Sequence, residues 1–137
     1  MPQLAGVLET SLYVEDLERS IRFYQEVMQF QKLVSDARFC ALQAGQREVL
    51  LLFRKGASTQ PLVIAGGTIP PHDGSGQMHL AFAMSAPDLE PWERWLEQHQ
   101  VVIESKVQWE RGGRSIYFRD PDGHLLEFVT PGCWAIY

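Results

Sequence analysis

The feature that most constrains this chain is a plan that occurs twice. A strand, a helix and three strands can be read over residues 7–53 and again over 78–130. In the first copy, Gly6 to Val14 alternates. Leu8, Thr10, Leu12 and Val14 share a face expected to be core, and Glu9, Ser11 and Tyr13 share a more polar one. Asp16 reads as a helix N-cap. Leu17, Ile21, Tyr24, Val27 and Met28 then recur at three- and four-residue steps, which predicts a helix over 17–28. Strands are expected near 31–34, 39–43 and 48–53. The second copy opens with Met78–Met84, where His79, Ala81 and Ala83 share a face. Pro91 must lie in the first turn of the next helix, which makes Asp88 its N-cap. Strands near 101–107, 114–119 and 124–130 complete it. Superposing the copies sets Glu9 over His79 and Leu51 over Glu127.

The last two strands form the clearest local signal. Asp120-Pro121-Asp122-Gly123 has the residues of a type I turn in order, between flanks rich in aromatic and aliphatic residues. Glu127 is therefore a carboxylate in the middle of a sheet, and burial obliges it to find a donor, a cation or a metal. Between the copies, residues 55–77 hold repeated Gly and Pro with no sustained period, and read as a linker or lid loop. Residues 131–137 are apolar for a tail, so Trp134 and Tyr137 are expected to pack onto the domain or onto a partner.

Composition narrows the class. The chain has 137 residues, 45% hydrophobic and 21% charged, as a single globular domain of two modules would. Net charge is −5 and the basic residues are scattered, so a nucleic-acid partner is not expected. No apolar run suits a bilayer, and Met1-Pro2-Gln3-Leu4 does not open a signal peptide, which leads us to expect a cytoplasmic protein. Cys40 and Cys133 form no CxxC pair and are expected to be plain thiols.

Three segments carry a resemblance: Leu12-Tyr-Val-Glu-Asp-Leu-Glu-Arg-Ser-Ile-Arg-Phe-Tyr24, Met78-His-Leu-Ala-Phe82 and Tyr117-Phe-Arg-Asp-Pro-Asp-Gly-His-Leu-Leu-Glu127. The chain resembles the vicinal oxygen chelate superfamily, which includes glyoxalase I, extradiol dioxygenases and bleomycin-binding proteins. Gly113-Arg-Ser-Ile-Tyr-Phe is most similar to fosfomycin-resistance enzymes. The resemblance implies an α+β fold of two βαβββ modules related by a pseudo-twofold, forming a curved mixed sheet around a cleft. It implies one divalent metal ion (Mn, Zn, Mg, Fe or Ni) held by Glu9, His79 and Glu127. Glu9 and Glu127 would also serve as proton carriers, with Ser11, Ser115 and Tyr117 touching substrate.

Two departures matter. Leu51 stands where glyoxalase I has a fourth ligand, and Glu9 stands where many members have histidine. A Glu/His/Glu set suits a hard divalent ion better than the two-histidine iron of an extradiol dioxygenase. The expected function is a metal-dependent lyase, isomerase or epoxide-opening transferase on a small oxygen-chelating molecule, in a homodimer. The alternatives are a bleomycin-resistance-like binding protein without chemistry, and a dioxygenase. An interaction domain using the apolar tail is a weaker option. His72 is read as an exposed loop histidine or a lid residue, and His124 as packed beside its turn.

Overall fold

A computed structural model describes all of residues 1–137. The chain divides into two compact units, Met1–Ser75 and Gly76–Tyr137. Each has the expected strand–helix–three-strand plan.

The first unit contains β1 (Glu9–Val14), α1 (Leu17–Glu26), β2 (Gln31–Ser35), β3 (Phe39–Gln43) and β4 (Val49–Arg54). Its sheet runs β1-β4-β3-β2, with β1 parallel to β4 and the other pairs antiparallel. Asp16 caps α1 as expected, accepting from the Arg19 N–H at 3.0 Å. The helix ends at Glu26, slightly before the expected Met28, because Gln29 turns to a positive φ of 60°. Val27 and Met28 remain buried beyond its end. With Leu12, Val14, Tyr24, Leu42, Leu50 and Leu52 they form the core. The expected core face of β1 is only half realised. Leu12 and Val14 are buried, but Leu8 precedes the strand and is 63% exposed.

The expected linker contains structure of its own. Two short strands, β5 (Leu62–Ile64) and β6 (Gly67–Ile69), form a hairpin across the two-residue turn Ala65-Gly66. Two short runs separated by two small residues is a hairpin pattern. The surrounding glycines and prolines mask it. Residues up to Ser75 belong to the first unit.

The second unit contains β7 (His79–Ala83), α2 (Leu89–Gln98), β8 (Ser105–Gln108), β9 (Arg114–Arg119) and β10 (Leu125–Val129). Its order, β7-β10-β9-β8, repeats that of the first, with β7 parallel to β10. Strand β8 is shorter than expected and starts only at Ser105. A 3-10 turn at Ala86–Asp88 leads into α2. Asp88 occupies the cap position, yet its carboxylate makes no capping bond and instead accepts from Ser85 Oγ at 2.5 Å. Leu89, Leu96, Ile116, Phe118, Leu126 and Phe128 are buried, and Trp92 packs on Phe128 with centroids 4.9 Å apart.

The Asp120–Gly123 turn closes as its residues dictate. The Gly123 N–H donates to Asp120 O at 3.0 Å, and Asp120 Oδ1 accepts from the N–H groups of Asp122 and His124 at 3.0 and 2.9 Å. His124 is buried and accepts the Met78 N–H on Nδ1 at 2.9 Å, so it ties β7 to this hairpin. The tail is half anchored. Tyr137 donates its hydroxyl to Met84 O at 3.0 Å, whereas Trp134, expected to pack, is 70% exposed. Gly113 and Gly132 make the tail's path possible. A Cβ on Gly113 would lie 2.6 Å from the Gly132 backbone. No helix is long and apolar enough to cross a membrane.

Candidate metal centre

The site is built on β10, an inner strand of the second sheet. Leu125 pairs with His79 on β7, and Glu127 pairs with Tyr117 on β9. Alternation along the strands therefore brings Glu127, Tyr117 and, one step along, Ser115 to one face.

Glu127 is almost wholly buried, and its desolvation is offset by donors. Ser115 Oγ donates to Glu127 Oε1 at 2.5 Å. Trp109 Nε1 donates to Ser115 Oγ at 2.8 Å. This chain from indole to hydroxyl to carboxylate engages Oε1 and leaves Oε2 for another partner. That partner is His79 Nε2, 3.2 Å away.

The protonation of His79 decides what this contact means. Its Nδ1 lies 2.9 Å from the Leu125 carbonyl, which can only accept, so Nδ1 carries the hydrogen. In the neutral ring Nε2 is then a bare lone pair. It faces a carboxylate oxygen, and two acceptors do not attract each other. A cation must be shared between them, either a proton on the imidazole or a metal. The 3.2 Å separation matches neighbouring donor atoms around an ion bonded at ~2.0–2.2 Å. An imidazole whose far nitrogen is tied to a carbonyl, and a carboxylate whose far oxygen is tied to a hydroxyl, are the supports that metal ligands require. The donor set thus fits a divalent ion.

Burial and the negative charge of Glu127 push the Tyr117 hydroxyl above its ordinary value. It stays protonated at neutral pH and is hydrogen-bonded to the Glu127 carboxylate. Its ring lies 6.2 Å from that of His79.

The structure places the expected residues in three groups. His79, Glu127 and Tyr117 converge. Ser115, expected to touch substrate, is 1% exposed with its hydrogen committed to Glu127. It therefore serves the site by holding the carboxylate. Glu9 and Ser11 lie on β1 in the first unit, exposed, opposite Val49 and Leu51 of β4. No group of three or more His, Cys, Asp or Glu side chains gathers within the chain. Sequence reading missed Trp109. The only signal for it was an indole just before the strand that carries Ser115, and nothing in that spacing marks a hydrogen-bond donor.

The registers support the superposition made from sequence. Glu9 begins β1 opposite the first residue of β4, as His79 begins β7 opposite the first residue of β10. Leu51 and Glu127 are the third residues of β4 and β10.

The model of the Glyoxalase/Bleomycin resistance protein/Dioxygenase superfamily matches residues 6–128. The chain belongs to this superfamily. It is 29% identical over 130 residues to a metallothiol transferase FosB of Staphylococcus epidermidis, covering 93% of this chain and 83% of the relative. It is 34% identical over 127 residues to a glutathione transferase FosA of Serratia marcescens, covering 90% and 79%. Among solved structures, a lactoylglutathione lyase from Agrobacterium tumefaciens superposes with a TM-score of 0.87 at 27% identity, covering 98% and 99% of the two chains. The superfamily's fold is the α+β fold expected, and these relatives are enzymes. A metal-dependent enzyme of the glyoxalase-like class is the assignment they support.

Proposed function

We propose that this protein is a divalent-metal-dependent transferase that opens the epoxide of a small oxygen-chelating molecule with a thiol, fosfomycin being the type of substrate. One observation carries the reading: His79 Nε2 and Glu127 Oε2 stand 3.2 Å apart, each group held from behind by a hydrogen bond, as two ligands of one ion would be. The names of the FosB and FosA relatives, both thiol-using transferases, favour this chemistry over the other expected reactions.

His79 and Glu127 would hold the ion, with Glu9, the counterpart of His79 in the repeat, as the third ligand. Once bound, the ion supplies Lewis acidity to the chelating oxygens and to charge developing at the epoxide. The chain's own residues do the rest. In the transfer, sulfur bonds to an epoxide carbon, that carbon's bond to the ring oxygen breaks, and the thiol proton ends on that oxygen. Glu9 and Glu127 are the carboxylates assigned to carry it in this reading. Tyr117 and Ser11 would touch substrate through their hydroxyls, Tyr117 while hydrogen-bonded to Glu127. The functional assembly in this reading is a homodimer, the commonest symmetric oligomer. Leu51, in place of a fourth ligand, disfavours the lyase reaction named for the Agrobacterium structure.

The test is elemental analysis of wild type and Glu127→Ala after dialysis against mixed divalent metals, followed by a thiol-transfer assay with fosfomycin. Near-stoichiometric metal in wild type, lost in the variant together with turnover, is expected. Equal metal content in both proteins would refute the site. Metal without turnover on any epoxide would refute the reaction and retain the centre.

A further inference from the structure

The first unit holds a cationic pocket that the reaction above does not use. Arg38 stands immediately before β3. Its guanidinium lies 4.9 Å from the ring centroid of Phe39 and 5.6 Å from that of Phe53. One of its nitrogens donates to Ser58 Oγ at 3.2 Å, and no carboxylate pairs with it. The nearby acids are turned elsewhere. Asp36 Oδ1 accepts the backbone N–H groups of Arg38 and Phe39 at 2.7 and 3.0 Å, and Asp73 Oδ1 accepts that of Gly56 at 3.4 Å. A guanidinium offers five N–H groups in a fork that matches carboxylate and phosphate oxygens, and most of this fork is unspent.

Two further donors stand beside it. Ser58 is buried and accepts from Arg38, so its own hydrogen remains to be given. His72 follows β6, and its ring packs edge-on against Phe53 with centroids 4.5 Å apart. Its Nδ1 lies 2.7 Å from the Tyr13 hydroxyl. Where the phenol donates and Nδ1 accepts, the ring's hydrogen is on Nε2 and turned to a ligand.

Arg38, Ser58 and His72 line one cavity of about 210 Å³, whose other wall includes Leu62, Ile69 and Pro70 from the hairpin segment. Ligand pockets for drug-sized molecules run to roughly 300–1,000 Å³, so this one suits a small ligand or one end of a larger one. Three donors with no acidic partner, beside an apolar wall, specify an anion that carries carbon.

We propose that this pocket binds the anionic end of a small organic molecule, a carboxylate, phosphate or phosphonate group, with Arg38, Ser58 and His72 as the donors. The test is nitrogen–proton NMR of the full chain after metal removal, titrated separately with inorganic phosphate and with methylphosphonate. Saturable shifts at the Arg38 side chain, Ser58 and the His72 ring are expected. Arg38→Gln should weaken binding by about tenfold or more, the effect of losing charge-assisted hydrogen bonds, and Arg38→Lys should recover part of it. Glu127→Ala should leave the affinity unchanged, which separates this pocket from the proposed centre of the second unit. Shifts confined to other residues, or undiminished affinity in Arg38→Gln, would overturn the proposal. Phosphate binding as tightly as methylphosphonate would overturn its organic half and assign a site for the free inorganic anion. Because the wild-type shifts are read residue by residue, the outcome does not depend on how well any variant folds.

Discussion

The two units use one backbone plan with different chemistry at equivalent positions. On the last strand of each sheet, the third residue is Leu51 in the first unit and Glu127 in the second. On the neighbouring antiparallel strand, Leu51 faces Ala41 whereas Glu127 faces Tyr117. Two residues on, Phe53 faces Phe39 in the first unit, and Val129 faces Ser115 in the second. One face is therefore aromatic, with Tyr13, Phe39 and Phe53 in stacked contact. The other carries a carboxylate and its supports. The lesson is that register fixes where a functional side chain can stand, while the cost of placing it there is met by a few neighbours that the backbone plan does not supply.

Making the units alike tests that difference most severely. Glu127→Leu gives the second unit the residue of the first, and we expect metal binding to fall by more than the ~10–100-fold typical of losing a supporting partner. Calorimetric titration with a divalent metal reads it. The reverse change, Leu51→Glu, places a half-buried carboxylate with Ala41 opposite and no hydroxyl behind it. A loss of about 1–3 kcal/mol of stability, with no gain in metal binding, is expected in denaturant unfolding.

The supports can be removed singly. Ser115→Ala interrupts the chain from Trp109 to Glu127 and should weaken metal binding by roughly 10–100-fold while leaving both ligands in place. Trp109→Phe removes only the outer bond and should have the smaller effect. If both variants bound metal as wild type does, Oε1 of Glu127 would need no support and the comparison would rest on Glu127 alone.

The smallest effect concerns a feature the units share. Tyr13 and Tyr117 are both raised above the ordinary tyrosine value, chiefly by burial and secondly by a neighbouring carboxylate. Because the folded protein holds these protons more tightly than the unfolded chain, their contribution is fully present below the unfolded value of about 10. It is lost as pH rises through the folded values. Unfolding followed from pH 8 to 12 should show stability falling above roughly pH 10. Tyr117→Phe and Tyr13→Phe should each flatten part of that fall.

Much of this was readable from the residues. The Asp120–Gly123 turn, the Asp16 cap and the twofold plan are local signals that the fold keeps. The superposition of Glu9 on His79 follows from strand phase, and phase is what the registers preserve. What was not readable depends on side chains meeting across strands. The burial of Ser115 and the bond from Trp109 arise from a face formed by residues 109, 115 and 127 together. The β5–β6 hairpin was hidden by its own glycines. Asp88 shows the opposite failure, where the right residue stands at the cap position but Ser85 supplies its hydrogen bond.

One consequence follows from β10 lying inside its sheet. The chain is made from the first residue onward, and β7 can pair only with a strand some forty-six residues later, as His79 with Leu125. Until β10 emerges from the ribosome, the imidazole has no carbonyl to fix its tautomer, Ser115 has no carboxylate, and His124 cannot take the Met78 N–H. Pairings between distant segments are slow to form because the intervening loop must first be closed. The first unit has all its strands much earlier and matures first. The half that carries His79 and Glu127 is therefore the late half, and the proposed centre could be completed only in the finished chain.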